Sequence, residues 1–292
     1  MCISFFGLNA FQFSPSVRFL LAFGRDEFIE RETLPSHEWS QTEPTIIAGR
    51  DMRGGGTWLG VSPNNARLAF LTNLKEHDPD PGQLAKRGVI HHKLSRGNLV
   101  TGFLSSRDAP EAYMSALDRY AFHGFNLIAV DLMQPRMAYC SNPLSQEELG
   151  CKLPINQSDK QGCKLPSNQS NTLRDDLRIG PMILTQGKIY GMSNGFLGEW
   201  RKVEAGIQDL RKVMEGEGFS ASSEDAATLC HPQGEGLYGT RSQTVFVAWT
   251  DGSAELRERC LDTKTLTWTD IISHKFKISG NDDVPNGATS PN

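Results

Sequence analysis

The sequence predicts an α+β fold, a four-layer αββα sandwich in which helices cover the outer faces of two packed sheets. Runs of residues that favour strands occur towards both ends of the chain, and the stretch 97–122 between them has a helical pattern. The composition, 38% hydrophobic and 22% charged over 292 residues, is typical of a globular protein with a sizeable core. We expect one domain over residues 1–277 and a disordered tail over 278–292.

Two hairpins are predicted in the first quarter of the chain. Pro15 marks the turn of the first, and Asn64 and Asn65 tolerate the left-handed backbone that the turn of the second requires. Three glycines at 54–56 precede the second hairpin. Because no GK[ST] or GxGxxG spacing follows them, they predict a flexible entry into a strand and not a phosphate-binding loop. The paired strands are 2–8 with 19–23, and 57–62 with 67–74.

Two short helices are predicted within 97–122. Asp108 suits an N-cap and Pro110 suits the first turn of a helix, so the helical stretch divides at this point. Strands are expected to follow at 125–131 and 137–141.

Residues 142–177 differ from the rest of the chain. They contain a near duplicate, GCKLPINQS at 150–158 and GCKLPSNQS at 162–170. Two copies are too few for a solenoid, and their polar, proline-containing sequence buries little surface. We therefore expect a polar insertion on the surface of the domain.

The last third of the chain is predicted to return to strands after two helices. The pair Asp251 and Gly252 is typical of a tight hairpin turn. The elements expected here are a strand after Met182, helices at 199–214 and 223–229, and hairpin strands at 244–250 and 255–260.

Charge and cysteine content exclude several classes of function. With 30 basic and 34 acidic residues the net charge is -4, which argues against binding to nucleic acid or anionic membranes. The six cysteines form no CxxC pair, so they are interpreted as reduced thiols of a cytosolic protein. No run of 18 apolar residues occurs, and we expect no membrane-spanning helix.

Cys2, directly after Met1, is the residue with the clearest chemical potential. Removal of Met1 would give Cys2 both a thiol, with a pKa near ~8.5, and an α-amine, with a pKa near ~7.8, that can act as its base. The alternative is that Cys2 simply begins a buried strand, since free cysteine is among the most buried residue types.

Seven short motifs occur in order between residue 1 and about residue 277. They are MCI at 1–3, GRDE at 24–27, GGTWLG at 55–60, LTN at 71–73, GFNL at 124–127, YGMSN at 190–194 and YGTR at 238–241. With these motifs the chain closely resembles the NRDE family, also called the transport and Golgi organisation 2 family. Gly24 stands where that family usually has asparagine, so a side-chain amide is missing there.

The resemblance implies an αββα sandwich of the N-terminal-nucleophile hydrolase type, with chemistry similar to that of bile-salt hydrolase and penicillin V acylase. It implies that Cys2 is the nucleophile, that Arg25 and Asp26 orient its amine and thiol, and that the guanidinium lowers the thiol pKa. Asn73 and Asn194 would donate to an oxyanion, and Arg241 would complete the site.

Simpler roles remain open for the same residues. The charges at 25–27 could form a local ion pair at a strand end, both asparagines could be turn residues, and Arg241 could lie on the surface.

The resemblance also implies a function in haem trafficking or homeostasis, as a cytosolic, non-covalent haem carrier associated with mitochondria or the Golgi. His77, His91 and His92 are the conceivable haem ligands, and the absence of CxxCH argues against covalent haem. Binding of acyl-CoA or lipid is a neighbouring possibility, with a basic stretch available for phosphates. An amidohydrolase that uses Cys2 is the alternative from another functional class. The basic stretch comprises Lys75, Lys86, Arg87, Lys93 and Arg96.

Overall fold

The computed structural model describes residues 2–12, 14–40, 42–74, 93–142, 181–216, 231–233 and 236–279. Within these residues the chain is mostly antiparallel sheet with few helices. The strands are β1 (Ile3–Leu8), β2 (Val17–Phe28), β3 (Thr33–Trp39), β4 (Ile46–Asp51), β5 (Leu59–Ser62), β6 (Arg67–Asn73), β7 (Phe125–Asp131), β8 (Arg136–Ser141), β9 (Met182–Ile183), β10 (Ile189–Met192), β11 (His231–Gln233), β12 (Gly236–Trp249), β13 (Ser253–Cys260) and β14 (Ile272–Lys277). The helices are α1 (Gly97–Ser105), α2 (Pro110–Ser115) and α3 (Arg201–Met214), with a 3-10 turn at Arg119–Ala121.

The described strands form two seven-stranded sheets. Sheet A has the order β10-β1-β2-β12-β13-β14, with β11 paired to β12, so the first strands of the chain lie between its later ones. Sheet B has the order β3-β4-β5-β6-β7-β8-β9 and follows the chain. The two sheets pack face to face over a shared apolar core, in which the Phe6 and Phe70 rings meet edge to face with centroids 5.0 Å apart.

Helices contact both sheets. On the face of sheet B turned away from sheet A, α1 buries Leu99, Val100 and Phe103 against β5 and β6. On sheet A, α3 packs against β10 and β1, and Gly206 lies so close to the Phe5 ring that any side chain there would overlap it.

Most predicted elements are present with small changes in their ends. The hairpins β1-β2, β5-β6 and β12-β13 are confirmed, and Gly252 in the last turn has the expected positive φ of 80°. The expected N-cap at Asp108 is wrong, because Ala109 occupies that position. The Asp108 carbonyl instead accepts a hydrogen bond from Arg67 at 2.5 Å.

Some strands were not predicted from the sequence, and some predicted segments lie outside the described residues. Strands β3, β4 and β14 had not been predicted; β3 is an edge strand interrupted by Pro35, so its sequence pattern is weak. The helix at 223–229, residues 280–292 of the tail, and the insertion at 142–177 apart from its first residue lie outside the described residues. The first two residues expected in the disordered tail are ordered, because the N–H of Ile278 donates to Gly252 and that of Ser279 donates to Pro63. None of the described helices is long and apolar enough to cross a membrane.

The inner face of sheet A changes from apolar to polar at one end. Arg25 of β2 pairs with Ser242 of β12, which pairs with Cys260 of β13, and Ile3 pairs with Gly24. Alternation along the strands therefore puts Cys2, Arg25, Ser242 and Cys260 in one row across the sheet. The site described below is built at the Cys2 end of this row.

Candidate functional site

Cys2 lies just before β1 and is buried, with 8% of its surface exposed. Its thiol donates to the Asp26 carbonyl over 3.5 Å, and its own carbonyl accepts a 2.7 Å hydrogen bond from the Ser193 hydroxyl. The start of the chain is thereby fixed to β2 on one side and to the segment after β10 on the other.

The Arg25 guanidinium, 4% exposed, is the buried cation next to Cys2. Its Cζ lies 4.0 Å from the centre of the Trp58 ring, and Nη2 lies 3.9 Å from Glu27 and 3.8 Å from Asp51. An aromatic face and two carboxylates therefore hold the positive charge in place.

The resting thiol does not have the low pKa expected from the sequence. Burial raises the pKa of the Cys2 thiol, although the hydrogen bond to Asp26 and the charge of Arg25 oppose this rise. Burial also lowers the pKa of Arg25, but arginine remains protonated in proteins at neutral pH. The site thus holds a protonated thiol beside a fixed positive charge, and it needs a base before the sulfur can attack.

Asp51 secures Arg25, a role that the sequence did not predict. One carboxylate oxygen accepts from the backbone N–H of Arg53 and Gly54, and the other accepts from Arg31 Nε at 2.8 Å. Partial burial raises the Asp51 pKa, but the hydrogen bonds from Arg31 and Gly54 outweigh it and hold the pKa below its ordinary value. The expected flexible glycine segment is thus a turn organised by Asp51. In the sequence, the available signal for this turn was Asp51 three residues before the glycines at 54–56.

Asn194 and Asn73 are brought together. Asn194 Nδ2 donates to the backbone carbonyl of Asn73 at 2.6 Å. The side chain of Asn73 takes no part in this hydrogen bond. Asn194 is 7% exposed, and its Oδ1 has no hydrogen-bond partner among the described residues. One N–H of Asn194 is therefore engaged, and the oxyanion role of both residues stays a prediction.

Asn126 anchors the segment that carries Asn194. It is fully buried, and its Nδ2 donates to the carbonyls of Gly195 at 2.9 Å and Ser193 at 3.3 Å, while its Oδ1 accepts from Tyr139 at 2.8 Å. Sheet B thus sets the position of the Ser193 hydroxyl that contacts Cys2. Asn126 belongs to the GFNL motif, but the sequence alone predicts no role for it.

Arg241 is buried, which excludes the surface location considered from the sequence. Its Nη1 donates to the carbonyls of Phe28 at 2.9 Å, Ile29 at 2.7 Å and Arg31 at 2.9 Å. These contacts hold the end of β2 in place. Its part in a reaction stays a prediction.

Asp26 contributes its backbone to the site, because its carbonyl accepts from both Cys2 and the Tyr238 hydroxyl, the latter at 3.0 Å. Tyr238 is the first residue of the YGTR motif and was not among the predicted site residues. The orienting role of the Asp26 side chain stays a prediction.

The candidate haem ligands His77, His91 and His92 lie outside the described residues. The part of the chain that the structure describes contains no cluster of three or more His, Cys, Asp or Glu side chains suited to a metal ion.

Known proteins resemble this chain in sequence and in structure. Residues 1–232 match the family described as Transport and Golgi organisation 2. The Transport and Golgi organization protein 2 homologs of Bos taurus and Homo sapiens are 27% and 26% identical, and each match covers 95% of this chain and 99% of the relative. Among solved structures, the chain is similar to the Caenorhabditis elegans N-acylethanolamine-hydrolyzing acid amidase ortholog, with 8% identity and a TM-score of 0.42 over 84% of this chain and 92% of that one.

Proposed function

The chain belongs to the Transport and Golgi organisation 2 family, and from this premise we propose that it is a thiol hydrolase whose Cys2 cleaves the C–N bond of a small amide. The observation that carries the proposal is the pairing of a buried thiol with the fixed Arg25 cation at the start of β1. A neighbouring cation favours the thiolate, which is the nucleophilic form of cysteine.

The reaction needs a base, because burial raises the Cys2 pKa and keeps the thiol protonated at neutral pH. After removal of Met1, the α-amine of Cys2 takes the thiol proton as sulfur attacks the amide carbonyl, so that a C–S bond and an oxyanion form. Collapse of this intermediate breaks the C–N bond, and the leaving amine takes up the proton held by the α-amine. Water then cleaves the thioester, which releases a carboxylic acid and restores the thiol.

Asn194 is the proposed oxyanion donor. One N–H of its amide remains after the contact with the Asn73 carbonyl, and its burial makes a hydrogen bond to a developing charge strong. Arg241 acts in this proposal by holding the end of β2, which carries Arg25 and Asp26.

The finer fold assignment is part of the same proposal. We assign the chain to the four-layer αββα sandwich of the N-terminal-nucleophile type, over residues 1–277. Support comes from the shared core of the two sheets, from α1 on sheet B and from α3 on sheet A.

The proposal is tested with protein purified from cells, using N-acyl-4-nitroanilides of short and medium chain length as probes. We expect the intact mass to show loss of Met1, and we expect Cys2→Ala to abolish release of nitroaniline. Cys140→Ala is the matched control, because Cys140 is also a buried thiol but belongs to the core on the other face of sheet B. Complete retention of Met1, or equal turnover by Cys2→Ala, would contradict the proposal.

Haem carriage in the cytosol stays a second prediction, as does binding of acyl-CoA, and no described contact favours either over the hydrolase. Titration of the Cys2→Ala protein with haem separates the two functions. Saturable binding that this variant retains, together with no nitroanilide turnover in the unmodified protein, would favour the carrier.

A further inference from the structure

Trp200, immediately before α3, has a backbone conformation that large side chains rarely adopt. Its φ is 88° and its ψ is 136°, outside the main regions open to residues with a Cβ. Residues strained in this way persist where the surrounding structure holds them, and they cluster at ligand and active sites. The contacts of the Trp200 side chain show what holds it.

The Trp200 indole folds back onto Gly195, the residue after Asn194. A Cβ on Gly195 would lie 2.9 Å from Trp200 Nε1 and 2.5 Å from Glu199 Oε2, so any side chain at this position would overlap both. The Gly195 carbonyl is itself fixed by the 2.9 Å hydrogen bond from Asn126. The indole therefore lies against the segment that carries the proposed oxyanion donor.

Lys202, the second residue of α3, lies over the Trp200 ring, with Nζ 5.0 Å from the ring centre. The helix packs against β1, which follows Cys2, and against β10, which precedes Asn194. Burial lowers the pKa of Lys202, and the charges of Asp26 and Cys2 oppose this fall because they lie within electrostatic range of the ammonium. The pair of Lys202 and Trp200 thus borders the site next to both Cys2 and Asn194.

Lys202 differs from the arginines near the thiol. The guanidinium groups of Arg25 and Arg31 lie 3.8 Å and 2.8 Å from Asp51, and Arg25 is 4% exposed. Lys202 is exposed and forms no ion pair within the part of the chain that the structure describes, although Asp26 partly offsets its charge at longer range. An anion that enters from solvent therefore meets Lys202 first.

We propose that Lys202 and Trp200 form a subsite for a carboxylate, so that the amide cleaved at Cys2 is one that also carries a negative charge. One ammonium matches the one charge of a carboxylate, and the indole offers an apolar face to the carbons that join this group to the amide. No covalent bond forms at the subsite. The inference rests on the proposed hydrolase, because it names the substrate class of the same site.

The test compares the rates at which anionic iodoacetate and neutral iodoacetamide alkylate Cys2 in the full chain, read peptide by peptide by mass spectrometry. Both reagents need the same thiolate, so a change in the thiol pKa alters both rates equally and cancels from their ratio. We expect Lys202→Gln to lower the ratio of the iodoacetate rate to the iodoacetamide rate about threefold, and Lys202→Arg to retain it. Lys212→Gln is the matched control and should leave the ratio unchanged, because Lys212 belongs to the same helix but pairs with Asp209 at 3.7 Å.

An equal ratio in Lys202→Gln and in the unmodified protein would overturn the inference. Failure of Cys2 to react with either reagent in the folded protein would overturn it as well, since an opening that is closed to both would admit no carboxylate. Absence of nitroanilide turnover in the unmodified protein would refute the hydrolase alone, because the ratio of alkylation rates needs no turnover.

Discussion

The hydrogen bond between Tyr139 and Asn126 leads to a prediction in which the cost of one substitution depends on the other. Both side chains are fully buried, and the Tyr139 hydroxyl donates to Asn126 Oδ1 at 2.8 Å. Tyr139→Phe leaves that acceptor unpaired, and we expect it to lower the free energy of unfolding by about 1–2 kcal/mol.

Asn126→Ala removes the same bond from the other side and also releases the Gly195 carbonyl, which loses its 2.9 Å donor. Two buried groups without partners and a small cavity together cost about 3–4 kcal/mol. In this background the Tyr139 hydroxyl has lost its Asn126 acceptor but still accepts from the Leu197 backbone N–H, so adding Tyr139→Phe should cost only about 0.5 kcal/mol.

Urea unfolding of the unmodified protein, both single variants and the double variant gives the four free energies that are needed. A coupling energy of about 1 kcal/mol is expected from the smaller cost of Tyr139→Phe in the Asn126→Ala background. If Tyr139→Phe destabilises the protein equally in both backgrounds, the two side chains do not depend on each other and the argument from the buried network fails.

Two further predictions concern the charges around Cys2. Arg25→Gln should raise the thiol pKa by about one to two units, because Arg25 lowers that pKa and a neighbouring opposite charge shifts a pKa by about one to three units, an effect that the nearby carboxylates reduce. Iodoacetamide alkylation against pH measures this, with Arg50→Gln as the control, and an unmoved midpoint would exclude electrostatic coupling between Arg25 and the thiol. Asp51 has a lowered pKa in the folded state, so its stabilising contribution is complete above the unfolded value of about 3.9 and is lost as the pH falls through the folded value. Asp51→Asn should therefore be less stable than the unmodified protein by ~2 kcal/mol at pH 6, with a gap that closes towards pH 3 in urea titrations; a gap independent of pH would show that the carboxylate charge contributes nothing.

The sequence was sufficient for elements with strong local signals. The apolar runs of β1, β2 and β12 and the Asp-Gly turn predicted hairpins that the structure contains, and Pro110 marked the start of α2. Local patterns gave no comparable signal for β3, since an edge strand of mixed polarity is stabilised by its neighbour and not by its own periodicity.

The candidate site shows the same division. The motifs and the position of Cys2 singled out Arg25, Asn194 and Arg241, and all three are buried. The partners of these residues could not be predicted from local patterns. Asp51, on β4 of sheet B, contacts Arg25 of sheet A only because the two sheets pack together. Tyr238 contacts the Asp26 carbonyl because β12 lies beside β2 in sheet A.

The sequence by itself determined the nucleophilic candidate, the family and most of the strands, because each depends on residue type and short spacing. Only the tertiary structure decided the protonation of that candidate. The thiol pKa depends on how completely water is excluded and on which charges lie nearby, and burial between the sheets outweighs the cation that the motif supplies. The face of sheet A on which Tyr238 lies was likewise set by a shift in strand register, which is a property of the assembled sheet.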